Sequence, residues 1–112
     1  MNMEQHTMNS GLDHLFGAFA NSVRRLILER LASGEATVGE LTELCRVTMP
    51  AISRHLNVLN EAGLISRRVE GRFRYVSLNP EALAPAHLWL KQLPGATKGS
   101  LADYLEQLRT NG

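Results

Sequence analysis

At 112 residues, 44% hydrophobic and 21% charged, the chain has the size and composition of one small globular domain, which argues against disorder and coiled coil. No apolar run approaches the ~20 residues of a membrane span; the polar start Met1–Ser10 lacks a signal peptide's order, and the single Cys45 can form no internal disulfide, so a cytoplasmic protein is expected. The net charge of +1 conceals a split of −3 over residues 1–45, +4 over 46–76 and zero over 77–112. The basic stretch consists of Arg46, Arg54, Arg67, Arg68, Arg72 and Arg74, and arginine is suited to bidentate contact with phosphate and guanine.

Residues 1–11 read as a flexible lead-in, after which Leu12, Leu15, Phe16 and Phe19 recur at helical spacing. Asn21 can cap a second helix carrying Val23, Leu26, Ile27 and Leu31, ending at Gly34. Thr37 and Glu40 have capping-box spacing and predict a short helix with Val38, Leu41 and Leu44 inside. After a tight turn at Arg46–Thr48, Thr48 can cap a further helix, with Pro50 tolerated in its first turn and Ile52, Leu56 and Leu59 on one face. Gly63 and Leu64 can close that helix with a Schellman-type cap. The period then changes. Ile65–Val69 and Phe73–Leu78 are β-branched and aromatic, and Glu70-Gly71 between them predicts a hairpin turn. Asn79-Pro80-Glu81 reads as a helix start, and Pro85 should break that helix and begin another through Trp89 to Leu93. Pro94–Gly99 reads as a loop, and Ser100 with Asp103 can cap a last helix bearing Leu101, Tyr104, Leu105 and Leu108.

Two short helices joined by a three-residue turn and followed by a hairpin predict a winged helix-turn-helix, a mainly α fold with a small β wing. In the second of these helices the apolar face directs Pro50, Ser53, Arg54 and Asn57 outward, close to the N-terminal end that meets base edges in a major groove. Arg54 can donate two bonds to guanine O6 and N7. His55, at the edge of that face, suits packing or a phosphate contact better than base reading. The hairpin brings Arg67, Arg68, Arg72 and Arg74 near one another, with Arg72 beside the turn, where an arginine can enter the minor groove. Thr48, Pro50, Ser53, Arg54, His55, Asn57 and the four hairpin arginines are therefore the expected DNA-contacting residues.

The chain resembles the ArsR-type family of small bacterial winged-helix repressors. The matching stretches are Phe16–Ala20 with Arg24–Leu28, Glu40-Leu41, Met49–Leu56, Val58-Leu59, Glu61–Ile65, Tyr75, and Leu78–Pro80, spread over about residues 12–93. The resemblance implies a homodimer that binds a palindromic operator and releases it on a signal. It also implies a dimer interface from the N- and C-terminal helices, here Leu12, Leu15, Phe16, Phe19, Leu88 and Trp89, with Leu101, Tyr104, Leu105 and Leu108 in residues 94–112.

The chain departs from the family pattern in three places. Asn21-Ser22 stands where relatives often have Asp-Pro, and Pro94-Gly95 interrupts a C-terminal helix that is often continuous. The soft-metal sensors of the family carry a Cys-x-Cys pair where this chain has Cys45-Arg46-Val47, and one thiol falls short of the two or more thiolates a soft metal needs. His87 has no acid or histidine three or four residues on, and Asp103 has no histidine two residues on, so no metal or cofactor is expected. The small-molecule effector stays open. Beside the repressor stand two other readings: a winged-helix protein-interaction module, and a redox-responsive repressor acting through Cys45. No nucleophile–base pair or phosphate loop suggests an enzyme.

Overall fold

The computed structural model describes residues 3–93, the first eight by backbone alone, together with residues 105, 106, 108 and 109. Helix α1 spans Met3–Phe19, α2 Ser22–Leu31, α3 Val38–Cys45, α4 Met49–Glu61 and α5 Ala84–Lys91. Strands β1 (Ala36–Thr37), β2 (Ile65–Glu70) and β3 (Phe73–Leu78) form one antiparallel sheet in the order β1-β3-β2, and a 3-10 turn at Pro80–Leu83 leads into α5. This is a winged helix-turn-helix: α3 and α4 form the helix-turn-helix, and the β2–β3 hairpin is the wing.

The local signals in the sequence account for most element ends. The Asn21 side chain accepts from the backbone N–H groups of Val23 at 2.9 Å and Arg24 at 3.2 Å, which starts α2. Both halves of the Thr37–Glu40 capping box are made, and they start α3. The Thr48 hydroxyl accepts from Ala51 N at 3.3 Å and starts α4. At its other end, Leu64 N donates to Leu59 O and Gly63 N to Asn60 O, with Gly63 at φ 75°, so α4 closes in the expected Schellman motif.

The core gathers one face of each element: Leu15 and Ala18, Ile27 and Leu31, Val38 and Leu41, Ile52, Leu56 and Leu59, then Leu64, Ile65, Val76 and Ala86. Burying a side chain such as Ile52, which is fully enclosed, contributes about 1.5–3 kcal/mol. The core fixes α4 against the rest of the domain and leaves its opposite face in solvent.

The structure corrects five expectations. Helix α1 begins at Met3, nine residues before Leu12, because Met3–Ser10 continues the helix without an apolar stripe to announce it. Leu44 is 44% exposed, whereas Cys45 packs against the core, as its spacing of four from Leu41 and seven from Val38 predicts. Leu26 on α2 also faces outward. The hairpin turn is Gly71-Arg72, because Glu70 pairs with Phe73; Gly71 at φ 63° followed by a residue without positive φ is the type II′ pattern. The helix start at Asn79-Pro80-Glu81 is a 3-10 turn, and the Asn79 side chain makes no capping bond to it, since its amide donates to Gly63 O and its Oδ1 accepts from Ser66 Oγ. Strand β1, too short for any periodicity, had no signal at all. The loop at Pro94–Gly99 and the cap at Ser100 and Asp103 lie outside the described residues.

Candidate nucleic-acid interface

With Ile52, Leu56 and Leu59 turned inward, α4 presents Thr48, Pro50, Ser53, Arg54 and Asn57 to solvent, as its 3.6-residue period requires. Between this face and the wing runs a groove of about 530 Å³, lined among others by Met49, Pro50, Ser53, Arg67, Arg74 and Tyr75. Asn57 is joined to the wing directly, its Oδ1 accepting from Arg67 Nη2 at 3.1 Å.

The hairpin register divides the arginines between two faces. Arg67 sits opposite Val76 and Arg74 opposite Val69, and because Val76 is buried this face turns toward α4. Arg68 sits opposite Tyr75 on the other face and lies over its ring, 4.3 Å from the centroid. Its guanidinium donates to both oxygens of Glu35, at 2.8 and 3.2 Å, and to Glu70. These carboxylates push the Arg68 pKa further up, so its charge is permanent but already compensated. Arg54, Arg72 and Arg74 make no hydrogen bond or ion pair among the described residues. By register Arg67 and Arg74 share the face turned toward α4, Arg72 is at the tip, and Arg68, which also lines the groove beside Tyr75, braces the wing to the loop before β1.

His55 is half-buried, with Nδ1 3.2 Å from Arg24 Nη1. Burial holds its pKa below the ordinary histidine value, and the nearby charges of Arg24 and Arg54 act in the same direction. Arg24 also donates to Ala18 O at 3.0 Å and Gly17 O at 2.9 Å, while Arg25 donates to Phe19 O at 2.7 Å. Sequence reasoning gave no role to Arg24, Arg25 or Glu35. Both arginines lie just after a helix end, where carbonyls lack partners, and that position is the signal that could have been used.

Of the residues expected at a dimer interface, Leu15 is 4% exposed and belongs to the protomer's own core. Leu12, Phe16 and Phe19 are half-buried along α1; Leu88 and Trp89 on α5 are 56% and 40% exposed. Phe16 meets the Trp89 ring edge-on, with centroids 5.4 Å apart, and Leu90 and Leu93 extend the exposed apolar surface. Leu105 and Leu108 are exposed on a helical segment, while Leu101 and Tyr104 lie outside the described residues. Cys45 is half-buried, and burial raises its pKa. No group of three or more metal-ligating side chains occurs among the described residues, and none of their helices is long and apolar enough to cross a membrane.

Residues 21–67 match the model of the bacterial regulatory proteins of the arsR family. The transcriptional repressor SdpR of Bacillus subtilis is 37% identical over 79 residues, which cover 70% of this chain and 88% of SdpR. A crystal structure of an ArsR-family transcriptional regulator superposes with a TM-score of 0.71 at 31% identity, over 75% of this chain and 87% of that one. The homodimeric winged helix-turn-helix DNA-binding domain of a possible ArsR-family regulator from Mycobacterium bovis shares the fold, with a TM-score of 0.68 at 24% identity, over 80% of this chain and 84% of that one. The chain therefore belongs to the arsR family of bacterial regulatory proteins: it is a transcriptional regulator with a winged helix-turn-helix DNA-binding domain, in a family of regulators and not of enzymes.

Proposed function

We propose that the protein is a cytoplasmic homodimeric repressor that binds an inverted-repeat operator. In this reading α4 enters the major groove, with Arg54 on a guanine and Ser53 and Asn57 on base edges or phosphate. Arg72 and Arg74 meet the backbone or minor groove, and Thr48, Pro50 and Arg67 border the path of the duplex. The observation that carries the reading is the outer face of α4, where an exposed polar row ends beside a groove and two uncompensated wing arginines. The repressor SdpR, similar over most of its length, supports the sign of regulation.

Dimerisation is supported by the exposed apolar surface on α1 and α5. Leu88, Trp89, Leu90 and Leu93 are exposed on and just after α5, with Phe16 of α1 against the Trp89 ring, and exposed apolar side chains gathered on one element suit an interaction site. A two-fold dimer sets its reading helices about one DNA turn apart, so half-site centres should lie about 10–10.5 bp apart or at a multiple of that. The test is footprinting on fragments of the protein's own promoter, with sedimentation run beside it. Two-fold protection by a dimer is expected. A monomer at micromolar concentration that fully protects one half-site defeats the dimer, and absence of binding to any fragment defeats the operator reading and leaves a protein-interaction module.

A further inference from the structure

We propose that Arg24 is a positioning residue for DNA recognition, tying the reading helix α4 to the end of α1 through a neutral His55; this rests on the operator reading above. One guanidinium makes three contacts. Nε and Nη2 donate to Ala18 O and Gly17 O, carbonyls of the last turn of α1, and Nη1 lies 3.2 Å from His55 Nδ1. The Asn21 cap fixes the start of α2, which sets where Arg24 stands.

The chemistry of the pair fixes its protonation state. Arginine is a donor only, so His55 Nδ1 must accept, which requires the neutral ring with its proton on Nε2. Protonation turns Nδ1 into a donor, removes the bond and sets a second cation against Arg24. The charged groups bearing on the ring are Arg24 from α2 and Arg54 from α4 itself. The link therefore exists in one protonation state.

That state matters because of what the link joins. His55 follows Arg54 directly, so holding its ring fixes how α4 is turned about its own axis. Helix α1 carries Phe16 and Phe19 of the proposed dimer surface, so the same contact sets each reading helix relative to its partner's. Breaking it loosens that setting without removing any group that touches DNA. The opposite behaviour is also well defined: a His55 that contacts phosphate would gain a favourable charge on protonation and bind more tightly in acid.

The test uses a labelled duplex enriched from a random-sequence pool by the full-length protein at about pH 7.5, with affinity followed down to about pH 5.5, the range in which histidine titrates. The comparison is His55→Asn, whose Oδ1 can accept near the position of Nδ1 and does not titrate. The protein should lose more affinity than His55→Asn on acidification, by up to about fivefold, the full worth of one hydrogen bond. His6, His14 and His87 are common to both proteins and cancel. Once Arg24→Met is introduced into the parent and into His55→Asn alike, the difference between the two should vanish. Equal pH profiles, or tighter binding by the parent in acid, overturn the proposal.

Failure to enrich any duplex defeats the operator reading instead, and the link has its own test in the DNA-free protein. The His55 ring, followed by NMR, should titrate below an ordinary histidine and move upward in Arg24→Met. An unmoved titration overturns the link.

Discussion

Replacing the wing arginines one at a time by alanine separates charges that can meet phosphate from those the fold has already spent. Arg72 is exposed at the turn and unpaired among the described residues, whereas Arg68 is clasped by Glu35 and Glu70 and lies over Tyr75. An arginine on one phosphate releases about 0.9 counterion, so Arg72→Ala should flatten the slope of log affinity against log salt by about 0.9. Between about 50 and 200 mM salt this narrows the gap between parent and variant about 3.5-fold, well within the resolution of an anisotropy titration. Arg68→Ala should behave differently. Its side chain holds the wing to the loop before β1, so affinity should fall at every salt concentration while the slope changes by less than half as much. Equal flattening by Arg68→Ala would show that Arg68 trades its carboxylates for phosphate on binding, and would refute the division of the wing into two faces. An unchanged slope in Arg72→Ala would remove the wing tip from the DNA.

Arg54→Ala should cost about 1–3 kcal/mol on the operator and relax preference at one base pair per half-site, as read by selection from randomised half-sites; an unchanged preference takes Arg54 off the reading face. His55 is held below its ordinary pKa of 6.5, so the unfolded chain takes up the proton first; stability present above about pH 6.5 should fall as pH drops and be fully lost below the folded value. Urea melts of the parent and His55→Asn across that window should diverge in acid, and parallel melts would contradict the shift. Zinc, cadmium and arsenite in micromolar excess should leave the DNA complex intact, because each chain offers one half-buried thiol whose pKa is raised by burial. Release from the parent but not from Cys45→Ser would make Cys45 the sensor.

The parts of the fold that could be read in the sequence are those governed by local chemistry. Asn21, Thr37 and Thr48 cap the helices they precede, and Gly63 with Leu64 closes α4, because each needs only its own few neighbours. The outward row on α4 was legible for the same reason, since Ile52, Leu56 and Leu59 define the buried side of one helix. Strand β1 was not legible. Two residues have no period, and Ala36 and Thr37 become a strand only because Val76 and Tyr75 offer a free edge. Asn79 failed in a related way: its sequence context invites a cap, but the Gly63 carbonyl and the Ser66 hydroxyl, brought close by the sheet, compete for its amide.

The same distinction decides the electrostatics. A charge count along the chain gives the basic stretch six arginines, and it cannot see that Glu35, from the acidic first third, folds onto Arg68 across 33 residues. Nor can it see that Arg67 is engaged by Asn57 while Arg74, on the same face, is not. Among the described residues of that stretch, the arginine side chains left without a hydrogen bond or ion pair are Arg46 in the turn before α4, Arg54 on α4, and Arg72 and Arg74 on the wing, and of these Arg74 lines the groove between α4 and the wing. In the proposed complex, Arg54, Arg72 and Arg74 constrain orientation more than a diffuse basic patch would, because the three would meet phosphates or base edges together only when α4 and the wing hold their observed angle. Arg68 fixes the wing to the loop before β1, Arg67 fixes it to Asn57, and Arg24 fixes α4 to α1. On this argument Arg67, Arg68 and Arg24 serve the binding surface by holding it in shape, and their replacement should weaken operator and random duplex unequally, with the operator losing more.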